Sequence, residues 1–150
     1  MKYTAEELIE LLEMQPHIEG GWYKADGPFG LDLARVALPE AYSSGRNSAS
    51  RIYYMLKKGE ESRWHILKSA EAWLWHMGGS LETTLGGGKD RPEAAVKLHL
   101  GPRLEQGESL STVIPAQTWQ TTRVVNGEYA LVSCIVTPAF HEDDFSFPEQ

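Results

Sequence analysis

The chain has one cysteine, Cys134, among 150 residues, so no internal disulfide can form. A lone thiol is compatible with a reducing compartment, and we expect a cytoplasmic protein. Long hydrophobic runs are also lacking, because the longest, around 129–136, is interrupted by Ser133 and is far shorter than the ~20 residues that cross a bilayer. The acidic, amphipathic N-terminus does not resemble a signal peptide. We therefore expect no membrane partner.

Positive charge is scarce. The 14 Lys and Arg residues are outnumbered by 21 Asp and Glu residues, which gives a formal net charge of −7. Nucleic acids and anionic membrane surfaces are bound through basic side chains that neutralise phosphates, so this balance argues against both as partners. A chain of 16.8 kDa is long enough for one domain with a hydrophobic core. The sequence thus predicts one soluble, acidic, intracellular domain.

The N-terminal third is predicted to be a short helix followed by a loop. Thr4 and Glu7 match a capping box at the start of the helix, and Pro16 ends it. Residues 16–30 contain four glycines and two prolines, a composition typical of turns.

From residue 50 onward the apolar residues alternate with polar ones, which predicts strands. Asn126-Gly127 lies between two apolar runs and predicts a hairpin turn. Roughly eight short strands at even spacing are typical of an antiparallel sandwich or barrel, so the expected class is all-β with a short N-terminal helix. The predicted strands are 50–56, 63–67, 71–77, 81–85, 94–100, 110–114, 120–125 and 129–137.

Two neighbouring predicted strands carry the most reactive side chains. Alternation places Arg63 and His65 on one face of the first strand, and Glu71, Trp73 and Trp75 on one face of the second. An imidazole and a carboxyl group could therefore meet inside a barrel, where burial raises the pKa of the carboxyl. Such a pair could be an acid–base pair, part of a metal site, or a structural hydrogen-bonded pair.

Other candidates lie on later and earlier segments. Gln120 begins a strand, and an inward amide can donate and accept hydrogen bonds, although it is a poor transition-metal ligand. His17 and Glu19 form a polar pair in the glycine-rich loop that could lie over the barrel mouth, the alternative being a plain tight turn. Tyr54 would face opposite to Tyr53 and is a candidate acid.

The first of these regions resembles the first conserved motif of the cupin superfamily, G-x5-H-x-H-x3/4-E-x6-G. Gly59 matches the opening glycine, His65 the first histidine, Glu71 the glutamate and Gly78 the closing glycine. The second histidine is replaced by Leu67.

A later segment resembles the second cupin motif, G-x5-P-x-G-x2-H. Pro115 matches the proline, whereas Gln117 stands for the glycine and Gln120 for the histidine. Of the four metal ligands usual in this superfamily, the chain therefore keeps His65 and Glu71 and lacks two imidazoles.

Over nearly its full length the chain is similar to one cupin family, Cupin_5, the domain of unknown function 985. The ends PHIEGGWY and TPAFHEDDF are specific to that family. The matching stretches are 8–23, 48–56, 61–79, 100–109, 113–120 and 129–145.

This resemblance implies the cupin double-stranded β-helix, an RmlC-like jelly-roll barrel with a pocket in its mouth. A homodimer is implied as well. We expect one domain over 1–150, with helix and Gly-rich loop at 1–49, the barrel at 50–138 and an acidic aromatic tail at 139–150. The acidic run in that tail is expected to be solvated and anchored by its phenylalanines.

The resemblance supplies no reaction, so function is open between three hypotheses. The protein could transform a small polar metabolite, sugar-like or carbonyl-bearing, by an isomerase or epimerase reaction with His65 and Glu71 as catalytic residues. It could bind such a ligand without chemistry. It could instead be a metal-dependent, dioxygenase-like cupin with a weakly bound divalent metal on His65, Glu71 and Gln120; otherwise no cofactor is expected. The candidate ligand-binding residues are His17, Glu19, Tyr54, Trp73, Trp75 and Gln120.

Overall fold

A computed structural model describes residues 2–149, and it confirms the all-β class with one short helix. Single 3-10 turns occur at Arg35–Ala37, Leu104–Gln106 and Glu142–Asp144. Within residues 2–149, no helix has the length and apolar character needed to span a membrane. The regular elements are α1 (Ala5–Leu11), β1 (Gln15–Pro16), β2 (Trp22–Leu33), β3 (Arg46–Lys57), β4 (Glu61–Leu67), β5 (Ala70–Leu85), β6 (Val96–Leu100), β7 (Ser111–Ile114), β8 (Gln120–Thr137) and β9 (Phe145–Ser146).

The N-terminal helix begins as predicted. The Glu7 backbone N–H donates to the Thr4 hydroxyl at 3.1 Å, and the Thr4 N–H donates to the Glu7 carboxylate at 3.2 Å, which completes the capping box. Leu8 then packs in one cluster with Met55 and Leu131. These two residues alternate with barrel-interior positions of their strands, so α1 covers the outer face of the sheet.

The strands form a curled antiparallel sheet in the order β1-β2-β3-β8-β4-β9. β8 links its two halves, because residues 129–136 pair with β3 and residues 120–123 pair with β4. β5 follows β8 from Ala70 opposite Thr137 to Leu85 opposite Gln120. The other edge of β5 pairs with β6 and β7. Two long strands thus hold both sides of the barrel together.

β5 and β8 bend together where Gly79 meets Asn126 and Gly127. A Cβ atom at Gly79 would collide with the Asn126 carbonyl oxygen, and one at Gly127 would lie 2.8 Å from the Gly79 Cα. The hairpin predicted at Asn126-Gly127 is therefore wrong, because these residues form a bend within one continuous strand. The two strands predicted on either side of Gly78-Gly79 likewise join into β5.

The segment 16–30 was expected to be loop, but β2 begins within it at Trp22. The pairing of β2 with β3 shifts register between Ala25 and Pro28 and again between Phe29 and Asp32. These irregularities erase the two-residue period, and an edge strand tolerates the glycines and proline that cause them. Strands consequently lie before residue 50 as well as after residue 138.

The barrel interior is filled by alternate residues of β3, β5 and β8 together with single residues of β6 and β7. Trp73 and Tyr54 are the largest of these fully buried side chains. The buried cluster consists of Tyr54, Leu56, Trp73, Leu81, Leu100, Ile114, Ala130, Val132 and Cys134.

Candidate functional site

A cavity of about 540 Å³ lies between the first loop, the barrel strands and the C-terminal segment. Its polar lining includes His17, Glu19, His65 and Glu71, and most of its remaining lining is apolar. A mainly apolar hollow with a few converging polar groups is typical of a small-molecule site. A hollow of about 780 Å³ beside α1 contains none of the predicted site residues.

His65 lies on β4, opposite Gln120 of β8. The pairing shifts register between Ser62 and His65, so that Ser62 and His65 are both buried while Arg63 is exposed. The expectation that Arg63 shares the face of His65 is therefore wrong. One extra residue in a strand reverses the alternation on one side of it.

The His65 imidazole is held at both nitrogens. Nε2 donates to Glu19 Oε2 at 2.9 Å, and Nδ1 donates to the Arg63 carbonyl oxygen at 2.7 Å, an arrangement that suits an imidazolium. Burial alone would lower the pKa of His65, but the Glu19 carboxylate beside it outweighs burial and raises it. Burial alone would raise the pKa of Glu19, but His65 outweighs it and lowers that pKa. The carboxylate that orients His65 is thus Glu19, whereas the sequence had suggested Glu71.

The loop that carries Glu19 is held against β4. The Glu19 N–H donates to His17 Nδ1 at 3.1 Å, and the Glu19 carbonyl accepts from the Arg63 N–H at 2.7 Å. Burial lowers the pKa of His17, and because Nδ1 accepts the Glu19 N–H, the neutral ring carries its proton on Nε2. A Cβ atom at Gly20 would collide with the Glu61 carbonyl oxygen, so only glycine allows this close approach. His17 and Glu19 accordingly reach the cavity.

Glu71 of β5 faces the same cavity. Its Oε1 accepts from Gln120 Nε2 at 3.0 Å, and Gln120 lies behind it, outside the lining. Burial, aided by the negative charge of Glu19, raises the pKa of Glu71 to about 7. The carboxyl is therefore about half protonated at neutral pH and can donate or accept a proton. His65 and Glu71 thus share the cavity, whereas Gln120 contacts Glu71 without lining it.

Three predicted aromatic residues lie outside the cavity lining. Trp73 is 1% exposed in the core, and Trp75 donates from Nε1 to the Gly79 carbonyl at 2.9 Å, beside the bend of β5. The Tyr54 hydroxyl donates to the Gly20 carbonyl, and burial raises its pKa well above the ordinary value, which makes it a poor acid. The expected indole walls are replaced by other aromatic rings, those of Tyr23, Phe140 and Phe145.

The C-terminal segment closes one side of the cavity. β9 pairs with β4, and the Phe145 ring stacks on the His65 imidazole with 5.3 Å between their centroids. A buried pair anchors this segment, since Asp144 accepts from the Arg46 guanidinium at 2.9 and 3.0 Å. The expectation of a solvated acidic run is therefore wrong for Asp144, because a fully paired carboxylate can be buried.

Sequence reasoning missed Tyr23, Phe140 and Phe145 as lining residues. Tyr23 was hidden because its segment was interpreted as a loop. No local signal marks Phe145, because its contact with His65 joins two segments far apart in the chain.

The side chains at this site do not fit a firmly held transition metal. Both His65 nitrogens already have partners, and a metal would have to displace Glu19 and a proton from Nε2. Of the three predicted ligands, this leaves the Glu71 carboxyl and the Gln120 amide, whose Oε1 has no partner among residues 2–149. Within the same residues, no group of three or more His, Cys, Asp or Glu side chains is arranged to hold a metal ion. A weakly bound divalent ion stays a prediction.

The curled antiparallel barrel with a cavity at its mouth defines a cupin double-stranded β-helix protein. An uncharacterised Klebsiella pneumoniae protein with a double-stranded β-helix domain has the same fold, with a TM-score of 0.59 and 11% identity over 100% of this chain and 99% of that one. At this identity the likeness concerns the fold alone.

The family profile described as Cupin superfamily (DUF985), Cupin_5, matches residues 6–148, and the chain belongs to this family. A hypothetical protein from Leishmania major is 29% identical, with a TM-score of 0.83 over 96% of this chain and 86% of that one. A protein from Shewanella oneidensis is 29% identical, with a TM-score of 0.79 over 97% and 84%. A search of curated proteins finds no match.

Proposed function

We propose that this cupin binds a small polar metabolite, sugar-like or carbonyl-bearing, in the cavity and moves a proton on it, as an isomerase or epimerase does. The observation that carries the proposal is Glu71, a buried carboxyl in the cavity wall whose pKa is raised to about 7. An acid–base catalyst works best when its pKa lies near the working pH.

The two histidines support this role in different ways. His65 is tied to Glu19 and to the Arg63 carbonyl, so it is not a free base; the ion pair instead holds the Glu19 carboxylate in place at the cavity. His17 has an N–H on Nε2 that is free to donate to a ligand. Removal of a proton next to a carbonyl needs one group that takes the proton and another that stabilises the enolate, and Glu71 and the His17 N–H are of the required kinds.

Gln120 supports the assignment of the proton on Glu71. Its amide N–H donates to Oε1 of Glu71, so in the neutral carboxyl the proton is expected on Oε2. The apolar lining limits water near this carboxyl, which keeps its pKa high and protects a reactive enolate.

The test has two steps. A thermal-shift screen over sugars and carbonyl compounds finds ligands that bind the folded chain. Proton NMR in D₂O then follows loss of the signal from the proton next to the carbonyl. We expect exchange with the natural protein and exchange on the order of 100-fold slower with Glu71→Gln.

The matched control is Glu93→Gln, an exposed glutamate remote from the cavity, which should exchange protons at the natural rate. Ligands that raise the melting temperature without any exchange would refute catalysis and leave a binding protein. A Glu71→Gln variant that exchanges at the natural rate would refute the role of Glu71.

A further inference from the structure

The cavity contains acidic side chains but no lysine or arginine among the described lining residues. Its acids are Glu19, Glu71 and Glu142, and its only basic groups are the imidazoles of His17 and His65. The positive charge of His65 is matched by Glu19 at 2.9 Å. His17 is held neutral by burial, which lowers its pKa. No unmatched positive charge therefore faces a ligand.

The basic residues next to lining positions in the sequence point away from the cavity. Lys24 follows Tyr23, Arg51 follows Ser50, and strand alternation turns both to the outer face. Lys68 follows the last residue of β4, and Arg63 lies in its bulge. Lys24 pairs with Glu13, and Arg51 pairs with Asp26. Lys68 donates to the Ala41 carbonyl. Arg63 lies over the Phe147 ring and donates to the Ile18 carbonyl.

This arrangement disfavours anionic ligands. A phosphate or carboxylate would enter a poorly solvated hollow beside acidic side chains, without the guanidinium or ammonium groups that usually bind such anions. Glu142 adds a further acid to this lining.

We propose that the cavity takes an uncharged ligand with carbonyl or hydroxyl groups and excludes molecules that carry phosphate or carboxylate groups there. Free sugars, aldehydes and ketones fit this class, whereas sugar phosphates and keto acids do not. This inference rests on the proposed function only in taking the same cavity as the ligand site, and it does not require proton transfer.

Cys134 offers a direct measurement of this selectivity. It is the only cysteine of the chain, it lines the cavity, and it is buried. Burial raises the pKa of its thiol well above the ordinary value, which slows all three reagents alike and leaves the ratios of their rates as the measure of selectivity. Three methanethiosulfonates of similar size, with uncharged hydroxyethyl, anionic sulfonatoethyl and cationic trimethylammonioethyl groups, each form a mixed disulfide with a thiol and release methanesulfinate. Adducts on the folded chain are followed by mass spectrometry, and each rate is divided by that of the same reagent with 2-mercaptoethanol.

We expect the normalised rate of the uncharged reagent to exceed that of the anionic reagent by about tenfold or more, as expected for electrostatic exclusion of an anion from an acidic cleft, and we expect no such exclusion of the cationic reagent. Ala25→Lys places a cation at a lining position and should raise the relative rate of the anionic reagent severalfold. Ala94→Lys, at an exposed position outside the lining, is the matched control and should change none of the ratios. Cys134→Ser should give no adduct.

Equal or faster reaction of the anionic reagent would overturn the proposal. So would a folded chain that reacts with none of the reagents while the unfolded chain reacts with all, because the cavity would then admit no ligand to Cys134. The outcomes of this experiment can be told apart from those of the proton-exchange test of the proposed function. Charge selectivity without proton exchange leaves this inference standing, whereas exchange on a phosphorylated or carboxylated ligand supports catalysis and overturns it.

Discussion

Glu19 and Glu71 are buried in one cavity, yet their environments drive their pKa values apart. Glu19 faces the His65 imidazolium, which lowers its pKa. Glu71 faces the uncharged amide of Gln120, so burial prevails and raises its pKa to about 7. Titratable groups whose pKa values are separated by their surroundings are the usual basis of acid and base assignments in enzymes.

Replacing Glu71 should change how stability depends on pH. The folded chain binds the Glu71 proton more tightly than the unfolded chain, so this residue makes folding less favourable as pH rises from 4.5 towards 7. Relative to the natural protein, Glu71→Gln should therefore gain stability between pH 4.5 and pH 8, by at most about 3 kcal/mol. Urea denaturation at several pH values measures this difference, and a pH-independent difference would contradict it.

Removing the charge of Glu19 should lower both the stability of the folded chain and the pKa of His65. The pKa of Glu19 is lowered in the folded chain, so the pair stabilises the fold above pH 4.5, the value of the unfolded chain. The pKa of His65 is raised, so this stabilisation is lost when the pH rises through the raised pKa of His65. Glu19→Gln should thus cost more at pH 6 than at pH 9, about 2 kcal/mol at the lower pH, and should lower the pKa of His65.

Urea denaturation measures the loss of stability, and NMR titration of the His65 ring measures its pKa. Glu142→Gln, an exposed acid at the cavity rim, is the control and should change stability by less than about 0.5 kcal/mol. An unchanged His65 pKa in Glu19→Gln would contradict the ion pair.

At the scale of elements, long strands carry the candidate catalytic side chains, and short segments cover them. The loop at 17–21 supplies Glu19, and the two-residue strand β9 brings Phe145 onto His65. The long strands β5 and β8 supply Glu71 and Gln120 and hold them rigidly, because each is paired on both sides over part of its length. The catalytic candidates thus stand on strands, and the parts that cover them are loops.

The bend shared by β5 and β8 should be intolerant of any side chain. Gly79→Ala should cost more than about 3 kcal/mol, because its Cβ would collide with backbone atoms that cannot move aside. Gly59→Ala is the matched control: its φ is +87° but the space around it is open, so only the backbone strain of about 1 kcal/mol is expected. Guanidinium denaturation compares the two, and equal costs would refute the steric account of the bend.

At the scale of the whole molecule, one poorly covered part is the ribbon that β2 forms with the first residues of β3, before β3 meets β8 at Ser50. Residues 25–32 are exposed, among them Phe29 and Leu31, and beyond Tyr23 the outer edge of β2 has no strand partner within residues 2–149. A two-stranded ribbon with apolar side chains in water is marginally stable, and a free edge favours pairing with another chain.

The homodimer implied by the family resemblance stays a prediction, and this ribbon is where it can be tested. Sedimentation equilibrium should give twice the chain mass of 16.8 kDa, and Leu31→Lys should shift the equilibrium towards the monomer. Leu104→Lys, at an exposed leucine outside the ribbon, should leave the mass unchanged. A mass of one chain at every concentration would contradict the prediction.

Local pattern was sufficient for part of this protein. The capping box of Thr4 and Glu7, most strand positions after residue 50 and the match of His65 and Glu71 to a known motif are all readable along the chain, because caps, alternation and motifs depend on neighbouring residues.

The rest was decided by segments that meet only in the folded chain. Glu19 as the partner of His65, Phe145 over its ring, the bulge that turns Arg63 outward and the continuous course of β8 through Asn126-Gly127 all depend on strand register and on close backbone approach. A one-residue shift in pairing or a single glycine contact reverses such outcomes, and neither leaves a trace in local periodicity.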